Sequence, residues 1–234
     1  MKLLTFFLLV LSCMQVEAQS DTTKRYFMGI AVGTSVALGD FQDTSLDNPD
    51  AGFAQNGNRY DIYGGYMLSK HVTLTTGVRY QTFETDVQDV VALFNNLRPG
   101  ITFNGENGDW RSYYVLVGMA YRIPIVRRFQ IYPRFALGPL WVRSPGLEVN
   151  TDNGVLINNF SRSSETGLGL GYDIGLGLRT NIGKYFALLP TFTFSGGRIR
   201  VPNIATNLNN VTTIRDFDTM IQSFNLGLSL AFRL

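Results

Sequence analysis

Asp61, Arg79, Arg134 and Asp173 are the residues whose types and placement could do chemistry in this chain. By the parity of their period-two segments they fall on the inward face together with Tyr63, Tyr114 and Tyr132, so two acids and two bases face one another. If that face lines a narrow interior, the charges pair, because an isolated ion in a poorly hydrated space is costly. Paired, they plug the interior with salt bridges. Left open to water, they would set the selectivity of a small gated pore. An eight-stranded barrel is just wide enough for side chains to fill it, which favours the plug.

Acid, base or nucleophilic chemistry most often places a His beside a Ser or Asp. The single His, His71, instead follows Ser69-Lys70 in a tight turn, where a side chain is ordinarily solvated. The expectation is a protein that is not an enzyme. Gly167-Leu168-Gly169-Leu170-Gly171 has glycines enough for a nucleotide loop, but such a loop follows a strand and opens a helix. Here the glycines simply alternate with large apolar residues. Asp43, Asp47 and Asp50 lack the spacing of a calcium loop and read as solvated acids. No cofactor or metal is expected, and a net charge of +2 argues against a nucleic-acid partner.

The elements that must position these residues are strands. Phe224, Leu226, Leu228, Leu230, Phe232 and Leu234 are large and apolar, while Asn225, Gly227, Ser229, Ala231 and Arg233 between them are small or polar. An unbroken period of two over about ten residues suits a tilted strand crossing a bilayer. Seven earlier segments repeat it. They are Tyr26 to Leu38, Arg59 to Leu68, a segment carrying Val72, Leu74, Thr76, Val78 and Tyr80, and Arg111 to Arg122. After these come one ending near Trp141 and weakened by Pro133 and Pro139, then Thr166 to Thr180, then one carrying Phe186, Leu188, Phe192 and Phe194.

Connections are short after the second, fourth and sixth segments and run to roughly 20 residues or more after the others, as in bacterial barrels with short periplasmic turns and long external loops. The 24 Gly, 17 Phe and 11 Tyr fit alternating strands better than a soluble core. The predicted fold is all-β: an eight-stranded antiparallel up-and-down transmembrane β-barrel with long extracellular loops. It would be integral to a Gram-negative outer membrane, with both termini periplasmic and with outer-membrane lipid and lipopolysaccharide around it. Tyr66, Tyr121, Tyr185 and Phe232 at one end, and Tyr60, Tyr80, Trp110 and Trp141 at the other, are expected to form interfacial girdles. A secreted sandwich or lipocalin-like barrel would instead turn its apolar face inward, leaving no use for a small, Gly-rich second face.

Lys2, the apolar run Leu3 to Leu11 and Val16-Glu17-Ala18 read as a signal peptide. Two units follow: a signal peptide, 1–18, and an outer-membrane β-barrel domain, 19–234. Acylation of Cys13 after Val10-Leu11-Ser12 is the rival reading, on a poor motif. Cys13 is the only cysteine, so the exported chain forms no disulfide. In the second long connection Val90, Leu93, Phe94 and Leu97 recur at i, i+3, i+4 and i+7, predicting a short amphipathic helix within 87–97. Its apolar face would cover the barrel rim or the membrane surface before it served a partner. In the third, Leu147 and Val149 face Val155 and Ile157 across Asp152-Asn153-Gly154, predicting a hairpin that extends the wall.

Gly65-Tyr66-Met67-Leu68-Ser69-Lys70 leading to Gly77-Val78-Arg79-Tyr80, together with Gly175-Leu176-Gly177-Leu178-Arg179, resembles the PorT-type outer-membrane β-barrels of Bacteroidota. The architecture is also similar to the small OmpA and OmpX barrels. The last residue departs from the pattern, being Leu234 where such barrels often end in Phe. Asp21-Thr22-Thr23 and Asp218-Thr219-Met220 resemble the short O-glycosylation signal of the same bacteria. These motifs are barrel grammar and fix no single activity. The resemblance implies a non-enzymatic scaffold or interaction component of the cell envelope, with envelope or secretion-system proteins as partners. A small-solute channel and a loop-based adhesin are the competing classes.

Overall fold

The computed structural model describes residues 25–45, 48, 50–86, 88, 91–92, 103–126, 129–151, 160–182, 185–208 and 211–233. The strands are β1 (Tyr26–Ala37), β2 (Ala54–Met67), β3 (Val72–Thr85), β4 (Phe103–Asn107), β5 (Trp110–Tyr121), β6 (Ile123–Val126), β7 (Phe129–Arg143), β8 (Leu147–Thr151), β9 (Phe160–Arg162), β10 (Thr166–Ile182), β11 (Phe186–Leu208) and β12 (Val211–Arg233). Eight of them, β1, β2, β3, β5, β7, β10, β11 and β12, pair antiparallel in that order, and β1 closes on β12 from Phe27↔Arg233 to Ala37↔Ser223. Closure leaves no sheet edge within the ring, as hydrocarbon requires.

Alternation sets what faces where. Met28, Ile30, Val32, Ile62, Val78, Val117, Leu170, Ile174, Leu176, Phe192, Leu226 and Leu228 are all exposed on the outside of the ring. So continuous an apolar belt on a closed barrel is a lipid-facing surface. Most of the inward residues between them are small, polar or charged. Gly29 shows why the small ones are needed, since a Cβ there would lie 2.6 Å from Cζ of Tyr63, whose ring crosses the interior.

Three features differ from the expectations. The segment before Trp141 runs unbroken through both prolines as β7. It does so because the β5–β7 ladder skips from Tyr114↔Leu140 to Val117↔Leu137, past Pro139, which has no N–H to contribute. The connection after the seventh segment is not a long loop, because β11 and β12 are 23 residues each and stay paired out to Leu208↔Val211. The apolar outer face that marked these strands stops where the bilayer stops, although the backbone ladder does not. A bulge between Val201 and Ile204 holds Asn203 at φ 58, a left-handed conformation that Asn tolerates well. Trp110 is no girdle residue: it shares the inward parity of Ser112 and Tyr114 and is buried, with Nε1–H donating to the Gly52 carbonyl at 2.8 Å.

Beyond the ring, β9 pairs β11, β8 pairs β9 and β4 pairs β8, so one side of the wall continues outward as a sheet. The pairing Val149↔Phe160 makes β8 and β9 a hairpin. Val155 and Ile157 lie outside the described residues, as do Val90, Leu93, Phe94 and Leu97.

Candidate functional site

The interior is layered. At the end carrying the long connections, Ala37, Phe41, Phe83, Trp110, Tyr114, Leu140, Val142, Ile199, Val201 and Ile221 form one buried apolar cluster. They come from β1, β3, β5, β7, β11 and β12 and from the short 3-10 turn Gly39–Phe41. Phe41 folds into the barrel mouth and meets Phe83 and Trp110 edge-on, with ring centroids 5.0 and 5.4 Å apart. Among the described residues these side chains, from six strands, are closed to solvent at this level.

Below this lid lies a hydrogen-bonded polar layer. Asn225 Oδ1 accepts from Ser35 Oγ at 2.6 Å and from Gln81 Nε2 at 2.7 Å, and Asn225 Nδ2 donates to Ser195 Oγ at 2.8 Å. Arg59 Nη1 donates to Thr193 Oγ1 at 2.8 Å and ties this layer to the charges next to it.

The structure brings Asp61, Arg79, Arg134 and Asp173 together in one chain of contacts. Arg79 Nε bonds Asp61 Oδ1 at 2.8 Å, Arg79 Nη1 lies 2.6 Å from Asp173 Oδ2, and Arg134 Nη2 bonds Asp173 Oδ1 at 2.8 Å. The Arg79–Asp173 contact is a close charge pair off the hydrogen-bond axis. Asp61, Arg79 and Asp173 are buried, while Arg134 is 23% exposed. Two buried arginines belong with these four. Arg59 adds a further partner for Asp61, through Nε at 2.8 Å and through Nη2. Arg179 makes no ion pair among the described residues. Both had the same sequence signal as Asp61 and Asp173, namely inward parity on β2 and β10.

Between the charges and the turn end is a cavity of about 70 Å³, bordered by Asp61, Arg79, Tyr132, Arg134, Asp173 and Arg179. Phe27, Ala187, Leu189 and Ala231 pack the interior beyond it. The arrangement holds charge in place and offers no nucleophile beside a base. His71 sits outside it, with Nδ1 3.1 Å from the Arg122 carbonyl and its ring stacked on Tyr121.

Outside the membrane band, Asp43 is a turn former. It accepts from Asn48 Nδ2 at 2.8 Å and from the Ser45 amide at 2.9 Å, and these bonds hold its carboxyl below the usual range. Asp47 lies outside the described residues. Thr219, in the Asp218-Thr219-Met220 motif, is buried and donates to the Asp50 carbonyl at 3.2 Å, so its hydroxyl is not presented to a modifying enzyme in the folded barrel. Outer aromatic contacts mark both ends of the belt: Tyr60, Tyr80 and Tyr113 at one, Tyr26 with Tyr66 and Tyr185 with Phe232 at the other.

Several solved structures are similar to the chain. The chain is similar to a major outer membrane protein of Thermus thermophilus, at 10% identity and a TM-score of 0.52, over 89% of this chain and 99% of that one. It is also similar to the attachment invasion locus protein Ail of Yersinia pestis, at 14% identity and a TM-score of 0.47, over 90% and 99%. A third is the N-terminal β-barrel domain of Pseudomonas aeruginosa OprF, at 12% identity and a TM-score of 0.41, over 90% and 98%. No curated protein sequence matches the chain. The outer membrane protein β-barrel domain family matches residues 6–232, nearly the whole length, and the chain belongs to that family.

Proposed function

We propose that this outer-membrane barrel is a closed, non-enzymatic scaffold, and that its work is done by the surface it displays beyond the membrane. The observation that carries the reading is the buried lid of Phe41, Phe83, Trp110, Tyr114, Leu140 and Ile199. A solute channel needs a wet path, and an interior sealed with aromatic and aliphatic side chains has none at that level. What remains for function is the outward sheet of β11, β9, β8 and β4. It carries a polar cleft of about 520 Å³ lined by Glu148, Arg162, Asn207 and Thr212, among others.

In this reading residues 1–18 are removed on export, both termini face the periplasm, and the sheet and long connections face outward, the even strand number returning the chain to the side it came from. Asp61, Arg79, Arg134 and Asp173 brace the wall. Partners are envelope proteins, and the resemblance to PorT-type barrels of Bacteroidota supports an assembly for protein secretion. The test is the native mass and composition of tagged protein extracted from its own outer membrane in mild detergent. A complex with defined partners supports the scaffold role. A lone barrel of about 24 kDa, the mass of roughly 215 residues after signal cleavage, overturns it.

A further inference from the structure

Four guanidiniums, those of Arg59, Arg79, Arg134 and Arg179, stand in the described interior against two carboxylates, Asp61 and Asp173. The ion pairs use both carboxylates twice and leave Arg179 out. Arg179 is 1% exposed. Its Nε reaches Asn181 Oδ1 at 3.3 Å, its Nη2 has no partner among the described residues, and its Cζ lies 5.8 Å from the ring centres of both Phe27 and Tyr132. Ring faces soften a buried cation without neutralising it. Arginine does not escape by losing its proton, so the charge needs a counter-ion.

The surroundings offer a place for one. Arg179 and Arg134 both border the internal cavity, with Thr191 and Ser229 supplying hydroxyls, and Arg134 Nε is also without a partner. Toward the turn end the field is still cationic. Arg233 Nη2 shares Asn181 Oδ1 with Arg179, at 3.2 Å, and Arg233 Nε is buried with no partner among the described residues. One amide oxygen therefore serves two guanidiniums where a carboxylate would be the ordinary choice.

We propose that the cavity is an anion site centred on Arg179, and that its ligand is a phosphate group. Two uncompensated positive charges match a dianion better than a carboxylate. Guanidinium forks match the oxygens of phosphate, and hydroxyls can hold its protonated oxygen. A cavity of about 70 Å³ has room for a small tetrahedral oxyanion in place of a few waters. Free inorganic phosphate and a phospholipid headgroup share this chemistry.

The test uses the folded, full-length mature protein in detergent micelles and ³¹P NMR. A protein-bound phosphorus signal is expected. If it washes out in phosphate-free buffer and returns with inorganic phosphate, the free ion is the ligand; if it survives washing and extracts into organic solvent, the ligand is a lipid headgroup. Either supports the site. Arg179→Met should weaken phosphate binding about tenfold or more, and Arg179→Lys, which keeps charge but loses the fork, by less. The variants also read out stability. With phosphate bound, Arg179→Met unfolds at lower urea than the wild type. Absence of bound phosphorus at millimolar phosphate overturns the proposal, as does an Arg179→Met barrel that is more urea-resistant with and without phosphate, the behaviour of an unpaired buried charge.

Discussion

Replacing Asp173 by Asn isolates what the interior charges contribute. The substitution is nearly isosteric, keeps one acceptor oxygen and removes one negative charge from a position 1% exposed to solvent. Two guanidiniums lose their counter-charge: Arg79, 2.6 Å away, and Arg134, 2.8 Å away. Arg79 retains Asp61, and Arg134 is 23% exposed beside the cavity and can recruit water, so neither is stranded completely. Breaking a buried ion pair from one side costs about 3–5 kcal/mol, and these residual partners place Asp173→Asn near the lower end, about 3 kcal/mol. Removing both charges should behave differently. Asp173→Leu with Arg79→Met exchanges the pair for apolar volume, and such exchanges are often neutral, so the double variant should recover all but about 1 kcal/mol. The assay is equilibrium urea unfolding of the barrel refolded in detergent, followed by the gel shift between folded and unfolded forms. A single-variant loss below about 1 kcal/mol, or a double variant whose loss is the sum of the singles within about 0.5 kcal/mol, refutes the reasoning.

Other perturbations address other layers. Trp110→Ala empties the lid and frees the Gly52 carbonyl, so it should cost about 3–5 kcal/mol and expose residues 39–53 to added protease, read by mass spectrometry of the fragments. Gly138→Ala should lower stability by about 1–3 kcal/mol, since an ideal Cβ there would lie 1.8 Å from the Val115 carbonyl oxygen, beside Pro139 where the strands crowd; an unchanged unfolding midpoint would contradict it. Asp216, at the outer end of β12, accepts from Arg200 and from the Asn203 amide, and these bonds set its carboxyl below the ordinary 3.8. A depressed carboxyl stabilises the hairpin tip fully above its unfolded value and loses that contribution as pH falls through the folded one. Hydrogen exchange of the Asn203 amide should therefore show extra opening only under strongly acidic conditions, and Asp216→Asn should abolish that dependence.

Much of the barrel was legible because two physical rules act on every residue of a spanning strand. Lipid demands an apolar outer residue at each second position, and the narrow interior demands a small or compensating one between. Those rules placed the eight ring strands, and parity alone put Asp61 and Asp173 on the inward face. The same parity marked Arg59, Arg179 and Trp110 as inward, and following it through would have found the complete interior set. What parity could not convey is partner choice: Arg79 bridges Asp61 and Asp173 across the barrel while Arg179 faces only rings and an amide, a difference fixed by closure and stagger. Outside the bilayer the lipid rule lapses. The outer halves of β11 and β12 therefore lost their apolar signature and read as loop, although backbone pairing continued. Pro133 and Pro139 suggested a weak strand because the places where their missing N–H groups fall, beyond the Ala120↔Arg134 end of the β5–β7 ladder and in its gap, are properties of the pair rather than of the segment.

A sealed barrel that serves as a platform, as proposed, passes no ions. Single-channel recording in planar bilayers tests it most directly, on protein first confirmed as folded by its gel shift. No conductance steps are expected from the wild-type barrel at any applied voltage below bilayer breakdown. Stable, ohmic conductance from the folded wild type, abolished when Arg134 and Arg179 are neutralised, would contradict it and make the interior charges a selectivity filter.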